Sequence, residues 1–492
     1  MNYEPSTISP TRHFKLLSMN RKKFIQQTSL ASAALLFNKY SFALTGRDFP
    51  VVRVPEAERK FKSEAVENLI KEISRSIGNK ELAWLFGNCF PNTLDTTVEF
   101  EIINGKPDTF VITGDIDAMW LRDSSAQVWP YLPLMKSDKK LQELIKGVIN
   151  RQVKCILKDP YANAFYKDET KISEWKSDKT VMKPGVHERK WEVDSLCYPI
   201  RLAAGYYEET GDTSPFDADW LAAMKLVLQT FREQQRIHDN GPYKFQRETT
   251  VPTDTAPMGG YGNPTKKIGL LHSMFRASDD ATLYPFNIPE NLFALYALKQ
   301  LSLLVKAAAN DEMMQREIRA LGGEINTALN EHGIVQHPKY GKIYAYEVDG
   351  FGNYILMDDS NVPGLLSIPY LSGLKLNIDE AAYRTTRKLI LSDNNPYFFK
   401  GRAAEGIGGP HVGMDYIWPM SIIMRAMTST DNNEISECLK MLRQTHAGTG
   451  FMHEGFHKDD ATKFTRKWFA WANTLFGELV WKIYREKKEL LN

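Results

Sequence analysis

Beyond residue 50, apolar residues recur at three- and four-residue spacing. Leu69–Ile77, Leu141–Leu157, Leu221–Arg232, Leu292–Ala309, Met313–Leu329, Ala381–Leu391, Ile435–Leu442 and Leu475–Tyr484 all show it. That period stacks apolar side chains on one helical face, so each segment predicts an α-helix. Period-two alternation is confined to two places. "TTVEFEIINGKPDTFVIT" (Thr96–Thr113) alternates on either side of Asn104-Gly105, a pair suited to a tight hairpin turn. "GKIYAYEVDGFGNYILMDD" (Gly341–Asp359) does the same about Asp349-Gly350. Strands and helices do not alternate, and no G-x-G-x-x-G follows a strand, so a dinucleotide-binding sheet is excluded. No linker or low-complexity run interrupts residues 50–492, which predicts a single domain there.

A larger repeat underlies the helices. "WLRDSSAQVWPYLPL", "WEVDSLCYPIRLAAGYY", "ASDDATLYPFNIPENLFALYAL", "LMDDSNVPGLLSIPYL" and "VGMDYIWPMSIIMRAM" each place an aspartate (Asp123, Asp194, Asp280, Asp359 and Asp415) ahead of an apolar run with aromatics and proline. A sixth apolar run, "KWFAWANTLFGELVWKIY" from Lys467, lacks the acid. Such runs are apolar nearly all round, as helices buried on every side are, and an amphipathic helix separates each from the next. Six buried helices alternating with six amphipathic ones predict two concentric rings, an all-α (α/α)6 toroid with small β-hairpin insertions. The aspartates are expected to be N-caps of the inner helices, and proline to sit in their first turns. The inner helix starts then converge at one end of the toroid.

That convergence gives meaning to "GDIDAMWLRDSSAQVWP" (Gly114–Pro130), which crowds Asp115, Asp117 and Asp123 with Arg122 between Trp120 and Trp129. Carboxylates accept from sugar hydroxyls, arginine donates to them, and an indole face packs on the C–H face of a pyranose. One aspartate alone is most simply a cap; five in parallel positions point to a carbohydrate site. Composition adds little. A formal charge of +2 over 492 residues leaves no basic footprint for nucleic acid or anionic lipid. Cys89, Cys155, Cys197 and Cys438 are scattered without C-x-x-C spacing and read as buried free thiols. The histidines form no H-E-x-x-H; His453 and His457 are four apart, but Gly455 interrupts any helix between them. Neither a zinc site nor a D-x-D-x-D-G calcium loop is expected, and no G-x-S-x-G elbow or P-loop occurs.

Residues 1–43 read as an export signal, with Met19 as a possible true start. Arg21, Lys22 and Lys23 precede the short apolar run Ser29–Phe37, and "SFA" (Ser41–Ala43) offers a cleavage site. "NRKKFIQ" is close to a twin-arginine signal, with lysine for the second arginine. The run is too short to span a bilayer, so a periplasmic protein without membrane insertion is expected.

Glycosidic hydrolysis needs two carboxyls flanking the bond, one of them protonated near neutral pH. "SDDA" (Ser278–Ala281) supplies adjacent Asp279 and Asp280, whose side chains must diverge and take different roles. For the second carboxyl there are two candidates: Glu454 in "GTGFMHEGFHKDD" and Glu405 in "RAAEGIGGPHVGMD" beside His411. Spacing does not choose between them. A sugar epimerase or polysaccharide lyase on the same toroid, or a glycan-binding protein without turnover, are the competing classes.

"GDIDAMWLRDSSAQVWPYLPL", "WEVDSLCYPI", "FRASDDATLYPFNIPENLFA", "GIGGPH" and "FMHEGFH" together resemble glycoside hydrolase family 125, the bacterial and fungal exo-acting α-1,6-mannosidases described as metal-independent. The resemblance runs from about residue 60 to the C-terminus. It implies an (α/α)6 barrel, inverting hydrolysis of terminal mannose without cofactor or metal, and a mannose-containing oligosaccharide as substrate for a monomer or weak oligomer. It implies that the general acid is an aspartate of "SDDA", Asp280 ahead of Asp279, and that the general base is Glu454, which leaves Glu405 as a pocket-lining or structural residue. By position it makes Asp115, Asp117, Trp120, Arg122 and Asp123 mannose ligands, joined by Arg189, Asp194 and His411.

Overall fold

Each apolar-periodic segment is a helix, and nearly all run past the stretch that predicted them. The structure is a computed structural model that describes residues 49–372 and 378–492; the export signal read from residues 1–43 lies outside them. The helices are α1 (Glu64–Ser76), α2 (Lys80–Cys89), α3 (Asn92–Thr96), α4 (Leu121–Val128), α5 (Lys139–Lys158), α6 (Val193–Thr210), α7 (Ala218–Gln235), α8 (Ile288–Ala308), α9 (Glu312–His332), α10 (Ile368–Ser372), α11 (Glu380–Ile390), α12 (Pro419–Met427), α13 (Asn432–Thr445) and α14 (Ala470–Glu486). Residues from Val51 to Asn492 form one unit.

The rings are explicit in the packing. α4 packs on α6, α6 on α8, α8 on α10, α12 on α14, and α14 returns to α4. Outside them α2, α5, α7, α9, α11 and α13 present one apolar face each. Inner helices are buried round most of their circumference, as in α6, where every residue from Val193 to Tyr206 is buried. The fold is thus an all-α (α/α)6 toroid.

The two rings differ in how they begin, which corrects one expectation. The outer helices carry side-chain caps: Asn79, Asp138, Asp217, Asp311, Asp379 and Asp431 accept from N–H groups of the first turn. The inner helices α4, α6, α12 and α14 begin at Trp120, Glu192, Trp418 and Phe469 with no side-chain cap, whereas α8 is capped by Asn287. None of the five repeat aspartates caps a helix. Asp123 and Asp194 lie inside first turns, while Asp280, Asp359 and Asp415 lie in the loops before. Their carboxylates are taken by other side chains. Uncapped helix starts keep positive ends pointed at the mouth, each favouring nearby carboxylates by about 0.3–1 kcal/mol. Proline also departs from expectation in α6, where Pro199 sits inside the helix; Pro289 and Pro419 are in first turns.

The first hairpin is as predicted: Val98–Ile103 pairs with Lys106–Val111, and Asn104 and Gly105 both have positive φ. The second is shorter, with Val348 opposite Tyr354, and its outer strand Gly341–Tyr344 pairs back to Ile334–His337 instead. All four cysteines are buried free thiols.

Candidate active site

Chain ends meet at the mouth of the toroid. Ala470 N–H donates to Thr113 O at 3.1 Å and Asp115 N–H to Trp468 O at 3.3 Å, joining the "GDID" loop to the start of α14. Gly114 permits this approach: its φ is +135°, and a Cβ there would lie 2.3 Å from the Trp468 carbonyl. Asp115 is thereby set beside Arg466, which donates to it at 2.8 and 2.6 Å and reaches Glu454 at 3.5 Å. The Arg466 guanidinium lies over the Phe469 ring at 4.8 Å.

Arg122, at the start of α4, is the hub of the opposite wall. It donates to Glu192 at 2.7 Å, to Asp194 at 3.3 Å and to Asp279 at 3.4 Å, and pairs with Asp123 at 3.6 Å. One guanidinium cannot neutralise four buried carboxylates, so their protons are shared unequally. Burial, against the Arg122 charge, raises Glu192 well above the ordinary range and Asp194 to about 6. Burial would raise Asp279 as well, but Arg122 and Lys190 overcome it and hold Asp279 well below the usual range. Glu192 and Asp279 are joined by a side-chain hydrogen bond, which raises the one and lowers the other. Asp123, raised by burial, accepts from the Thr113 hydroxyl at 2.5 Å.

Asp279 and Asp280 diverge because the chain turns sharply between them. Asp279 has φ +65°, a left-handed conformation unusual for aspartate. Its N–H donates to Arg276 O at 2.9 Å, and Arg276 N–H donates to Asp280 O at 2.8 Å. Buried Lys190 clamps the turn, donating to Asp279 O at 2.9 Å and to Asp254 at 2.7 Å. Asp279 therefore faces Arg122 and Asn163, whereas Asp280 faces Ser278, Asp359 and His411, whose Nδ1 is 3.9 Å away. Burial, then the neighbouring Asp359 charge, pushes Asp280 up to about 7. Adjacent residues are thus sorted into a carboxyl held below the usual range and one raised toward neutrality. Replacing Lys190 with methionine leaves Asp254 and Glu188 short of a buried cation; the expected loss is about 3 kcal/mol by urea unfolding, with reduced turnover.

An aromatic wall completes the mouth. Trp120 meets the His187 ring edge-on at 5.2 Å, and Tyr166 donates to or accepts from His187 Nδ1 at 2.9 Å. Trp418 stands 6.1 Å from both His411 and Phe469. Among the described residues the buried indole N–H groups of Trp120 and Trp418 find no acceptor. Among the described residues no group of three or more His, Cys, Asp or Glu is disposed to hold a metal ion.

The structure thus brings together Asp115, Arg122, Asp123, Asp194, Asp279, Asp280, His411 and Glu454, with Trp120 beside them. Asp117 lies on the rim, largely exposed, 3.3 Å from Lys171. Two expected ligands go elsewhere. Arg189 points away from the acids, donating to Asp159 at 2.8 Å and to Thr180 at 2.7 Å over the Tyr161 and Tyr243 rings. It sits on extended backbone where Glu188, Lys190 and Glu192 take the site side, and Arg189 and Trp191 face the other way, to Asp159 and the His272 carbonyl. Glu405 pairs with Arg425 at 2.8 Å and Lys400 at 3.0 Å in a separate cleft of about 490 Å³. Sequence reasoning missed Glu188, Lys190, Glu192, Asp254, Arg247 and Arg466 as site residues. The alternation in "HERKWE" was the available signal for the first three. Arg247, which donates to Glu188 at 3.0 Å and Asp178 at 2.6 Å, had none.

Residues 79–481 match the family described as metal-independent α-mannosidase (GH125). The meiotically up-regulated gene 157 protein of Schizosaccharomyces pombe is 40% identical over 460 residues, covering 90% of each chain. A metal-independent α-mannosidase of Streptococcus pneumoniae, solved as a non-productive substrate complex with α-1,6-mannobiose, superposes with TM-score 0.83 at 40% identity, over 87% of this chain and all of that one. The glucoamylase of Saccharomycopsis fibuligera, at 10% identity and TM-score 0.52 over 89% of this chain and 99% of its own, shares the fold alone.

Proposed function

The chain belongs to the metal-independent α-mannosidases of family GH125 and is a glycoside hydrolase, and on that premise we propose that it releases terminal α-1,6-linked mannose from non-reducing ends with inversion. The observation that carries the reading is the sharp turn at Asp279, which sends its carboxylate to Arg122 and Asn163 while Asp280 enters the buried corner beside Ser278 and His411. In this reading Asp279, Arg122 and Asp123 hold mannose hydroxyls, with Trp120 against the ring. Asp280 protonates the glycosidic oxygen as its bond to the anomeric carbon breaks. Glu454, paired with Arg466, takes a proton from the water that bonds to that carbon from the opposite face. Inverting enzymes hold the two carboxyls about 6.5–9.5 Å apart, leaving room for the water. The buried Arg122 cluster supports exo action, because it gives one terminal sugar a closed, hydrogen-bonding end wall.

A panel of linkage-defined mannobioses tests this. The α-1,6 isomer is expected to be cleaved fastest, at the same rate with and without chelator. Equal cleavage of α-1,2 and α-1,3 isomers would remove the linkage assignment; overnight incubation without any turnover would favour a binding protein.

A further inference from the structure

The carboxyl of Asp280 shares a buried corner with two groups that the mechanism above leaves unused. Ser278 Oγ lies 2.7 Å from Asp359 Oδ2 and 3.4 Å from Asp280 Oδ2. A serine hydroxyl carries one hydrogen. The short bond takes it, so Ser278 donates to Asp359 and has only lone pairs for its other neighbour. Asp280 can satisfy those lone pairs only while it holds a proton. Asp359 is furnished as an acceptor: its Oδ1 takes the Asn361 backbone N–H at 3.1 Å and the Asn361 side-chain amide at 3.3 Å. Ser278, Asp280 and Asp359 are each no more than 4% exposed, so water competes little for these bonds. The "GIGGPH" segment is shaped around the same carboxylate. Ser360 N–H donates to Gly408 O at 3.0 Å, and a Cβ on Gly409 would come within 3.3 Å of the Asp359 carboxylate.

We propose that Asp359, acting through Ser278, is the positioning residue that keeps Asp280 loaded with its proton until a glycosidic oxygen competes for it. The proposal rests on the reading of Asp280 as general acid. The charged and titratable groups facing Asp280 are Asp359, His411, Arg276, Lys190 and Tyr397, and the Thr253 hydroxyl also hydrogen-bonds to it, favouring the anion. Arg276 and Lys190 favour the anion; Asp359 opposes them, and the Ser278 bridge gives its opposition a direction. In turnover the Asp280 proton passes to the leaving oxygen as the C–O bond breaks, leaving Asp280 an anion. The attacking water gives its proton to Glu454, and exchange with solvent returns one to Asp280, restoring the hydrogen-bonded order Asp280 to Ser278 to Asp359.

The test is the pH profile of kcat/KM for Asp359→Asn and Ser278→Ala on two substrates. One is α-1,6-mannobiose, whose leaving alkoxide needs a proton; the other is 2,4-dinitrophenyl α-mannoside, whose leaving phenolate does not. Asp359→Asn is expected to move the alkaline limb on the disaccharide down by about one pH unit or more, while dinitrophenyl release stays within a few-fold of wild type. Ser278→Ala is expected to move it the same way by less, and it carries the test if thermal melting shows Asp359→Asn unfolded. Equal losses on both substrates at every pH, with the limb in place, would mean a merely structural role and overturn the proposal. Failure of the underlying reading looks different: Asp280→Asn would then retain disaccharide turnover, and the proposal would fall with the acid itself.

Discussion

Asp280→Asn is expected to lower kcat on α-1,6-mannobiose by about 10⁴-fold while KM and thermal stability change little. The amide keeps the shape of the side chain and loses the transferable proton, and general acid catalysis contributes up to about that factor when the leaving group is a sugar alkoxide. The wild-type pH dependence follows from the same group. Activity needs Asp280 protonated, and burial beside Asp359 places it at about 7, so kcat/KM is expected to hold below pH 7 and fall as pH rises through it. An ordinary exposed aspartate would lose its proton near pH 4 and leave the enzyme inactive at neutrality. Steady-state kinetics between pH 5 and 9 checks both; a variant that keeps a tenth of wild-type turnover would move the acid role to Asp279.

Glu454→Gln carries the second large effect, an expected fall of about 10³-fold in kcat, since water is a poor nucleophile without a base. Glu454→Ala opens space on that face, and added azide, which needs no deprotonation, is expected to restore turnover and yield β-mannosyl azide, detected by mass spectrometry and NMR. Glu405→Gln serves as the contrast. Its carboxylate is engaged by Arg425 and Lys400 in another cleft, so turnover is expected to stay near wild type. If Glu405→Gln is the inactive variant, the base has been misplaced.

Much of the fold was legible because apolar period depends on local spacing alone: the helices, the Asn104-Gly105 hairpin and the two rings followed from it. Helix starts were misread for a physical reason. An aspartate before an apolar run looks the same whether its carboxylate caps the helix or turns into a cavity. The outer helices use the first option, as Asp138 does with the Leu141 N–H at 3.0 Å. The inner helices α4, α6, α12 and α14 have no such cap, and the acids go to Arg122 and Ser278 instead. Asp415 shows the limit of the repeat: with φ +69° it faces Lys458 at 2.6 Å and joins no cluster of acids. Asp123, Asp194, Asp279, Asp280, Glu454 and Arg122 were readable because the motifs concentrate them. Arg247 and Arg466 were not, because they come from distant loops and look like surface residues until the chain closes. Asp359 appeared in the sequence only as one member of a repeat; its contact with Ser278 spans 81 positions and has no local signature.

The stereochemistry of a single turnover tests the proposed mechanism most directly. Proton NMR of a fresh α-1,6-mannobiose digest, recorded before mutarotation, is expected to show the β-mannose anomeric signal first, with the α anomer growing in afterwards. α-Mannose as the first product would require a covalent or retaining route, and would contradict a water activated by Glu454 across the sugar from Asp280.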